Sequence, residues 1–287
     1  MVEVPPPPRT RKRGLEANRE LEAVVAEEPY DDARWAVLAD WLLERDDPRA
    51  EIVRAEQTRD PELIAHAYHR LHRTLLGPRF RVLARHLTRC SWRCGFALSW
   101  MITSDDDVLD ELLAAPAMRL VRELAIAPPG RAMLIDLVVQ KVADAPCGRS
   151  VRSLELKTDR PVPVTCLAAL RLERLAVHPK FASTLEYAPA LAGVRELVIA
   201  PRDRSVLAKL LCDGAFPELR GLELTCLDRT LAWTADDLAP LLAGTAAPKL
   251  ERLAIHTPRN QRELARALRR MIEESPLRTR LAQITFD

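Results

Sequence analysis

No stretch of this chain approaches the roughly 18 consecutive apolar residues that a membrane-spanning helix needs, so no membrane partner is expected. The N-terminus has no apolar h-region, which argues against a signal peptide. Neither sign of charge prevails: 43 basic and 41 acidic residues leave a net charge of +2, so the chain as a whole offers no strong field to a polyanion. Histidine is scarce, at 6 residues, and leaves few candidates for a histidine-built active site. The six cysteines are unclustered, which fits reduced thiols in a cytoplasmic protein rather than a disulfide framework. Asparagine occurs only at Asn18 and Asn260, and lysine only six times against 37 arginines, a bias expected of a GC-rich bacterial genome. There is no G-x-G-x-x-G, no G-x-x-x-x-G-K-[ST], no G-x-S-x-G, no H-E-x-x-H and no kinase signature. What remains is 287 residues, 48% hydrophobic and 29% charged, the composition of an ordered, soluble protein.

The halves of the chain differ. Residues 1–13 carry four consecutive prolines and then Arg9, Arg11, Lys12 and Arg13, which predicts a disordered Pro/Arg-rich arm. Residues 14–90 read as helices. The first holds Leu15, Val24 and Val25 and stops near Pro29. The second runs from about Asp32 to Arg45, with Trp35, Val37, Leu38, Trp41, Leu42 and Leu43 as its apolar stripe. Asp31 or Asp32 can cap it, and Asp46-Asp47-Pro48 ends it. A third helix follows Pro48 and buries Ile52 and Val53. A fourth starts near Pro61 with Leu63, Ile64, Ala67, Leu71 and Leu75, and a fifth opens at Pro78 with Phe80, Val82, Leu83 and Leu87.

From residue 121 onward a unit apolar-x-x-Leu-x-apolar recurs. The copies are Val121/Leu124/Ile126, Val151/Leu154/Leu156, Leu172/Leu175/Val177, Val194/Leu197/Ile199, Leu219/Leu222/Leu224, Leu250/Leu253/Ile255 and, with Ile in the middle place, Leu281/Ile284/Phe286. Their spacing of 21–31 residues suits a strand-plus-helix repeat. Helical segments are expected at Met133–Val142, Val206–Leu211, Asp236–Leu242 and Glu263–Ile272. A strand at about Phe96–Ile102 and a helix at Val108–Leu113 would precede the array. The predicted fold class is α/β: an N-terminal helical cap on a leucine-rich-repeat-like solenoid with a curved parallel sheet. A doubly wound sheet is the competitor, but the strands alternate with Arg and Glu instead of running continuously apolar.

The segment Ala39-Asp40-Trp41-Leu42-Leu43-Glu44, then Asp47-Pro48-Arg49 and Glu51-Ile52-Val53, resembles the repeat-companion domain of myxobacterial and planctomycete proteins. Trp92, Arg93, Gly95 and Phe96 resemble a later segment of that family. The family's glycines before the Asp-Pro-Arg and after the Arg are Asp46 and Ala50 here. The resemblance implies a cap domain over 14–103 and a leucine-rich-repeat-like array over 104–287, but no transferable activity. The common array pattern places Asn three residues beyond the last strand leucine. The matching positions here are Pro129, Asp159, Lys180, Arg202, Leu227 and Pro258, so an asparagine ladder is excluded.

Alternation along the strands points one set of side chains inward and the other outward. The central outward row is Ala125, Glu155, Ala176, Val198, Glu223, Ala254 and Thr285. The row before it is Glu123, Ser153, Arg174, Glu196, Gly221, Arg252 and Gln283. The row after it is Ala127, Lys157, His178, Ala200, Thr225, His256 and Asp287. The candidate interaction face comprises Glu155, Arg174, Ala176, His178, Glu196, Val198, Glu223, Arg252, Ala254 and His256. A small central row flanked by mixed charge suits an apolar or extended element of a protein partner. None of the rows holds an aromatic residue, which suits nucleic acid poorly.

Reaction chemistry is sparse. His66, His69 and His72 share one helix face, and Cys90, Cys94 or His86 could be imagined as further ligands, but the Cys90-x₃-Cys94 spacing does not suit structural zinc. No metal, no cofactor and no catalytic residue is expected. Asp105, Asp106 and Asp107 read as a helix-capping cluster. Arg49 and Glu51 could bind the adjoining turn or a partner. The expected function is a non-catalytic protein–protein interaction scaffold or adaptor. The alternatives are a nucleic-acid-associated protein using the basic arm and surface arginines, and an accessory enzyme subunit with a site near Trp92–Asp107.

Overall fold

A computed structural model of the chain describes residues 15, 17–87, 90–103, 107–127, 134–157, 164–177, 191–200, 217–225, 238–243, 247–257 and 262–286. The 1–13 arm, the helix expected at Val206–Leu211, His178, Asp105, Asp106, Asp287 and the six positions where asparagine would stand all lie outside the described residues.

Helix α1 spans Arg19–Glu27, α2 Asp32–Glu44, α3 Ala50–Thr58, α4 Pro61–Leu76 and α5 Phe80–Leu83, the last continued by a 3₁₀ turn at Ala84–Leu87. Local chemistry sets their starts. Asn18 accepts a hydrogen bond from the Leu21 amide, Asp31 from Ala33, and Asp60 from Glu62 and Leu63, with Pro61 in the first turn. Asp46 sits at φ 49°, in the left-handed region where the resembled family places glycine. Val24, Val37, Leu63 and Val82, assigned to apolar stripes, are exposed, because these short helices bury only one narrow edge each.

The expected strand over Phe96–Ile102 divides in two. Strand β1 (Trp92–Arg93) pairs antiparallel with β2 (Phe96–Ala97) across Cys94-Gly95, and β3 (Ser99–Ile102) enters the large sheet. Cys94 and Gly95 have φ of 50° and 78°. Positive φ at both central residues is the type I′ signature, whose twist suits a two-residue hairpin.

The large sheet has eight parallel strands lying in sequence order: β3, β4 (Glu123–Ile126), β5 (Ser153–Leu156), β6 (Arg174–Val177), β7 (Glu196–Ile199), β8 (Gly221–Thr225), β9 (Arg252–His256) and β10 (Gln283–Phe286). The sheet is open, not closed into a barrel. Between strands stand α6 (Asp107–Ala114), α7 (Ile135–Asp144), a 3₁₀ segment at Val164–Ala169, α8 (Ala239–Leu242) and α9 (Arg262–Glu274). The register stacks Leu124, Leu154, Leu175, Leu197, Leu222, Leu253 and Ile284 in one row. All but Ile284, on the last strand, are buried. Helix α7 covers this side with Ile135, Val138, Val139 and Val142, an i, i+3, i+4, i+7 stripe.

At the start of the strands each turn is joined to the next through the backbone. The carbonyl of Arg122 accepts from the amides of both Arg152 and Ser153, that of Arg152 from Glu173 and Arg174, and that of Arg195 from Arg220 and Gly221. These paired bonds join successive strands with no asparagine side chain.

One continuous buried cluster runs from Ile52, Leu75 and Leu83 in the helices to Leu281 before the last strand. A second gathers Val25, Trp35, Leu38, Leu42, Val53, Phe96 and Leu120, with Trp41 packed partly buried at its margin.

Candidate interaction face

The outward rows align across the sheet as the alternation requires. Glu155, Ala176, Val198, Glu223, Ala254 and Thr285 are register partners in succession, as are Ser153, Arg174, Glu196, Gly221, Arg252 and Gln283. His256 pairs with Thr225 in the following row. The named candidates on described residues therefore share one side of the sheet; His178 lies outside the described residues.

They are not equally accessible. Ala176 is only 6% exposed and Ser153 7%, whereas the neighbouring Glu155 and Arg174 side chains each keep 43% of their accessibility. The opening lies further along. A depression of about 250 Å³ over β6–β10 is lined by Arg174, Glu196, Val198, Gly221, Glu223, Arg252, Ala254, Gln283 and Thr285. Because residue 221 has no side chain, Arg252 on β9 reaches across β8, and its Nη2 donates to Glu196 Oε1 on β7 at 2.6 Å. A Cβ at 221 would stand 3.4 Å from that same Nη2. Arg174 Nε lies 3.9 Å from the other Glu196 oxygen, and His256 Nε2 lies 3.3 Å from Glu223 Oε1. Lys157 approaches Glu155 at 3.3 Å, away from the depression. Gly221, Gln283 and Thr285 were outside the candidate set. The signal for Gly221 was a glycine between Glu196 and Arg252 in one row.

An aromatic side chain does border the face, supplied from outside the rows. Tyr30, in the loop between α1 and α2, lies under the Arg122 guanidinium at 4.5 Å from its ring centroid. Burial and the nearby Glu123 push the Tyr30 phenol up. The Pro29 carbonyl accepts from Trp35 Nε1 and from Arg122 Nη1, each at 3.0 Å. Arg152 Nη2 donates to the carbonyls of Ala26 and Glu27 at the end of α1. The helical segment is thus tied to Arg122 and Arg152, the residues just ahead of β4 and β5.

The Asp-Pro-Arg motif is turned inward. Arg49, 1% exposed, donates from Nε and Nη2 to the two oxygens of buried Asp47 at 2.8 and 2.9 Å. Its guanidinium lies over the Phe96 ring at 4.8 Å. Glu51 pairs instead with Arg70 at 3.0 Å. The Cys94-Gly95 turn is held by Glu56, whose two oxygens each accept from the Cys94 amide at 3.0 Å while Tyr68 donates to Oε1 at 2.8 Å.

The remaining expectations divide. The rings of His69 and His72 meet edge to face at 5.7 Å, and burial with His69 pulls the His72 imidazole down. Among the described residues no group of three His, Cys, Asp or Glu is placed to hold a metal. In the region named for an accessory enzyme site, the cavity beside His86, Trp100 and Leu112 measures about 10 Å³, and another, lined by Trp35, Glu56, Gln57, Arg93 and Cys94, about 440 Å³. No described helix is long and apolar enough to cross a membrane.

No protein-family model matches the chain, and no curated protein matches it. A crystal structure of a Bacteroides fragilis protein is similar over 61% of this chain and 54% of that one, with 14% identity and a TM-score of 0.44. The chain thus spans about half the length of that protein.

Proposed function

We propose that the chain is a non-catalytic protein–protein interaction scaffold whose contact surface is the outward face of the parallel sheet. In this reading residues 14–103 are a repeat-companion-like helical cap, residues 104–287 a leucine-rich-repeat-like solenoid, and residues 1–13 a Pro/Arg-rich arm. The observation that carries the reading is the depression over β6–β10, whose lining mixes Val198 and Ala254 with the Arg252–Glu196 pair that crosses Gly221. Small apolar side chains beside paired charges suit a protein contact. At about 250 Å³ the depression falls below the roughly 300–1,000 Å³ of small-molecule pockets.

The test is a titration of the partner captured by affinity from the native cell, with wild type, Val198→Glu and a 1–13 deletion compared by calorimetry. Val198→Glu puts a charge where desolvation is required and should abolish binding while the protein stays folded. The deletion should leave binding unchanged. Unchanged affinity in folded Val198→Glu would remove the sheet face as the contact. Loss on deletion, with steep weakening by salt, would favour the nucleic-acid alternative.

A further inference from the structure

We infer that the open edge of β10 is where two copies of this chain join, strand against antiparallel strand about a twofold axis. The inference concerns the end of the sheet and stands apart from the sheet-face reading above.

The array repeats one backbone device. Seven times a carbonyl just ahead of a strand accepts from two successive amides of the next turn. The series begins with Leu98, which takes Arg122 and Glu123, and reaches Glu251, which takes Ala282 and Gln283. The next carbonyl in the series is that of Ala282. It meets no further strand among the described residues, because β10 is outermost in the sheet. Alternate residues of a strand turn their amides and carbonyls to opposite edges. The Gln283 amide goes to Glu251 on the β9 side, so the amides and carbonyls of Ile284 and Phe286 face the open edge.

Nothing in the strand guards that edge. Exposed edges are commonly blunted with charge or proline. Ala282-Gln283-Ile284-Thr285-Phe286 has neither. The register partners of Ile284 and Phe286, Leu253 and Ile255, are buried. Ile284 and Phe286 themselves are only half-buried, with the Arg269 guanidinium over the Phe286 ring at 5.0 Å.

The opposite end of the sheet is different. Beside β3, the Ser91 amide donates to the Ser99 hydroxyl at 3.0 Å, and Trp100 Nε1 donates to the His86 carbonyl at 3.3 Å. A head-to-tail stack therefore finds no matching edge. Two identical edges close about a twofold, which leaves neither open.

A twofold through Thr285 satisfies every group on the edge strand. Ile284 then pairs with Phe286 of the partner subunit, and free amides meet free carbonyls in both directions. Thr285 faces its own copy at a non-hydrogen-bonded position, as its backbone groups turned toward β9 require. Side-chain parity keeps Ile284 and Phe286 on the core side in both copies, where an aromatic meets a β-branched side chain. The uncharged strand sets no like charges against each other.

Sedimentation of the 287-residue chain over a roughly hundredfold range of concentration tests this, and a monomer–dimer equilibrium is expected. Ile284→Pro removes an amide that bonds no described strand and should weaken association about tenfold or more. Under oxidation Thr285→Cys should form a covalent dimer that wild type does not. Facing residues at such a position stand about 4.5 Å apart between Cα atoms, within disulfide reach. Gln283→Cys, off the axis, should form none. Thr285 lies on the outward side, so this arm stands even where the proline variant fails to fold. Val198→Glu should leave the dimer intact, which separates failure of this inference from failure of the sheet-face reading. A chain monomeric at every concentration would overturn the inference. So would a dimer undiminished in folded Ile284→Pro, or one that Thr285→Cys fails to crosslink.

Discussion

Arg152 Nη2 stands 2.7 Å from the carbonyl oxygen of Ala26, a hydrogen bond between residues 126 positions apart. Helix α1 has no basic residue in its last turn, so this arginine from β5's leading edge supplies the donor that its C-terminal carbonyls lack. The same guanidinium donates from Nη1 to the Arg149 carbonyl at 2.7 Å, and the residue is only 4% exposed. Replacing Arg152 with leucine would leave these carbonyls unpaired and should cost about 1–3 kcal/mol. Lysine should restore only part, since one ammonium cannot reproduce the fork. Urea unfolding of the variants measures both effects.

The Cys94-Gly95 turn makes a second prediction. Gly95 has φ 78°, and a Cβ added there would lie 2.7 Å from Arg49 Cγ. The left-handed conformation alone costs a non-glycine residue about 1–2 kcal/mol. Arg49 cannot move aside without breaking its bonds to Asp47. Gly95→Ala should therefore destabilise by more than the backbone cost, seen as a lower Tm, and Arg49→Ala should cost less in that chain than it costs alone.

The register of the sheet is tested at two adjacent residues. Leu197 is 1% exposed, and truncating it to alanine should cost about 2–5 kcal/mol through the cavity left behind. Val198 points to the other side and is half-buried, so Val198→Ala should cost clearly less. Chemical denaturation of the pair decides this, and equal losses would contradict the alternation.

Alkaline pH should weaken the fold. Burial pushes the Cys94 thiol up to about 12, helped by Glu56, and burial does the same to Cys147. The unfolded chain releases these protons near pH 8.5, whereas the folded state retains them. Their contribution is thus complete below about pH 8.5 and is lost as pH rises toward 12. Urea midpoints taken between about pH 7.5 and about pH 10 should fall, and the fall should be shallower in Cys147→Ala.

Much of this architecture is local and could be read from residue order. Strand positions follow from leucines at period two between turn signals, and helix starts from Asp31 and Pro61. The split of Phe96–Ile102 at Leu98 was less legible, because the run is almost continuously apolar and Leu98 changes partner, its amide bonding Ser91 and its carbonyl Arg122 and Glu123. Val37 and Leu63 looked buried because periodicity gives a stripe's direction and not its width.

By itself, then, the sequence determined which side of each strand faces the core and hence which residues share the outward face, since side-chain direction in a strand depends only on parity. Tertiary structure alone decided which part of that face is open. Ala176 and Val198 occupy equivalent places in one row, yet the first is nearly closed off and the second lines the depression. The bonds of Arg152 to Ala26, Glu56 to Cys94 and Arg252 to Glu196 join residues 38 to 126 positions apart. Their partners are chosen by how the chain packs in space, and no local pattern encodes that choice.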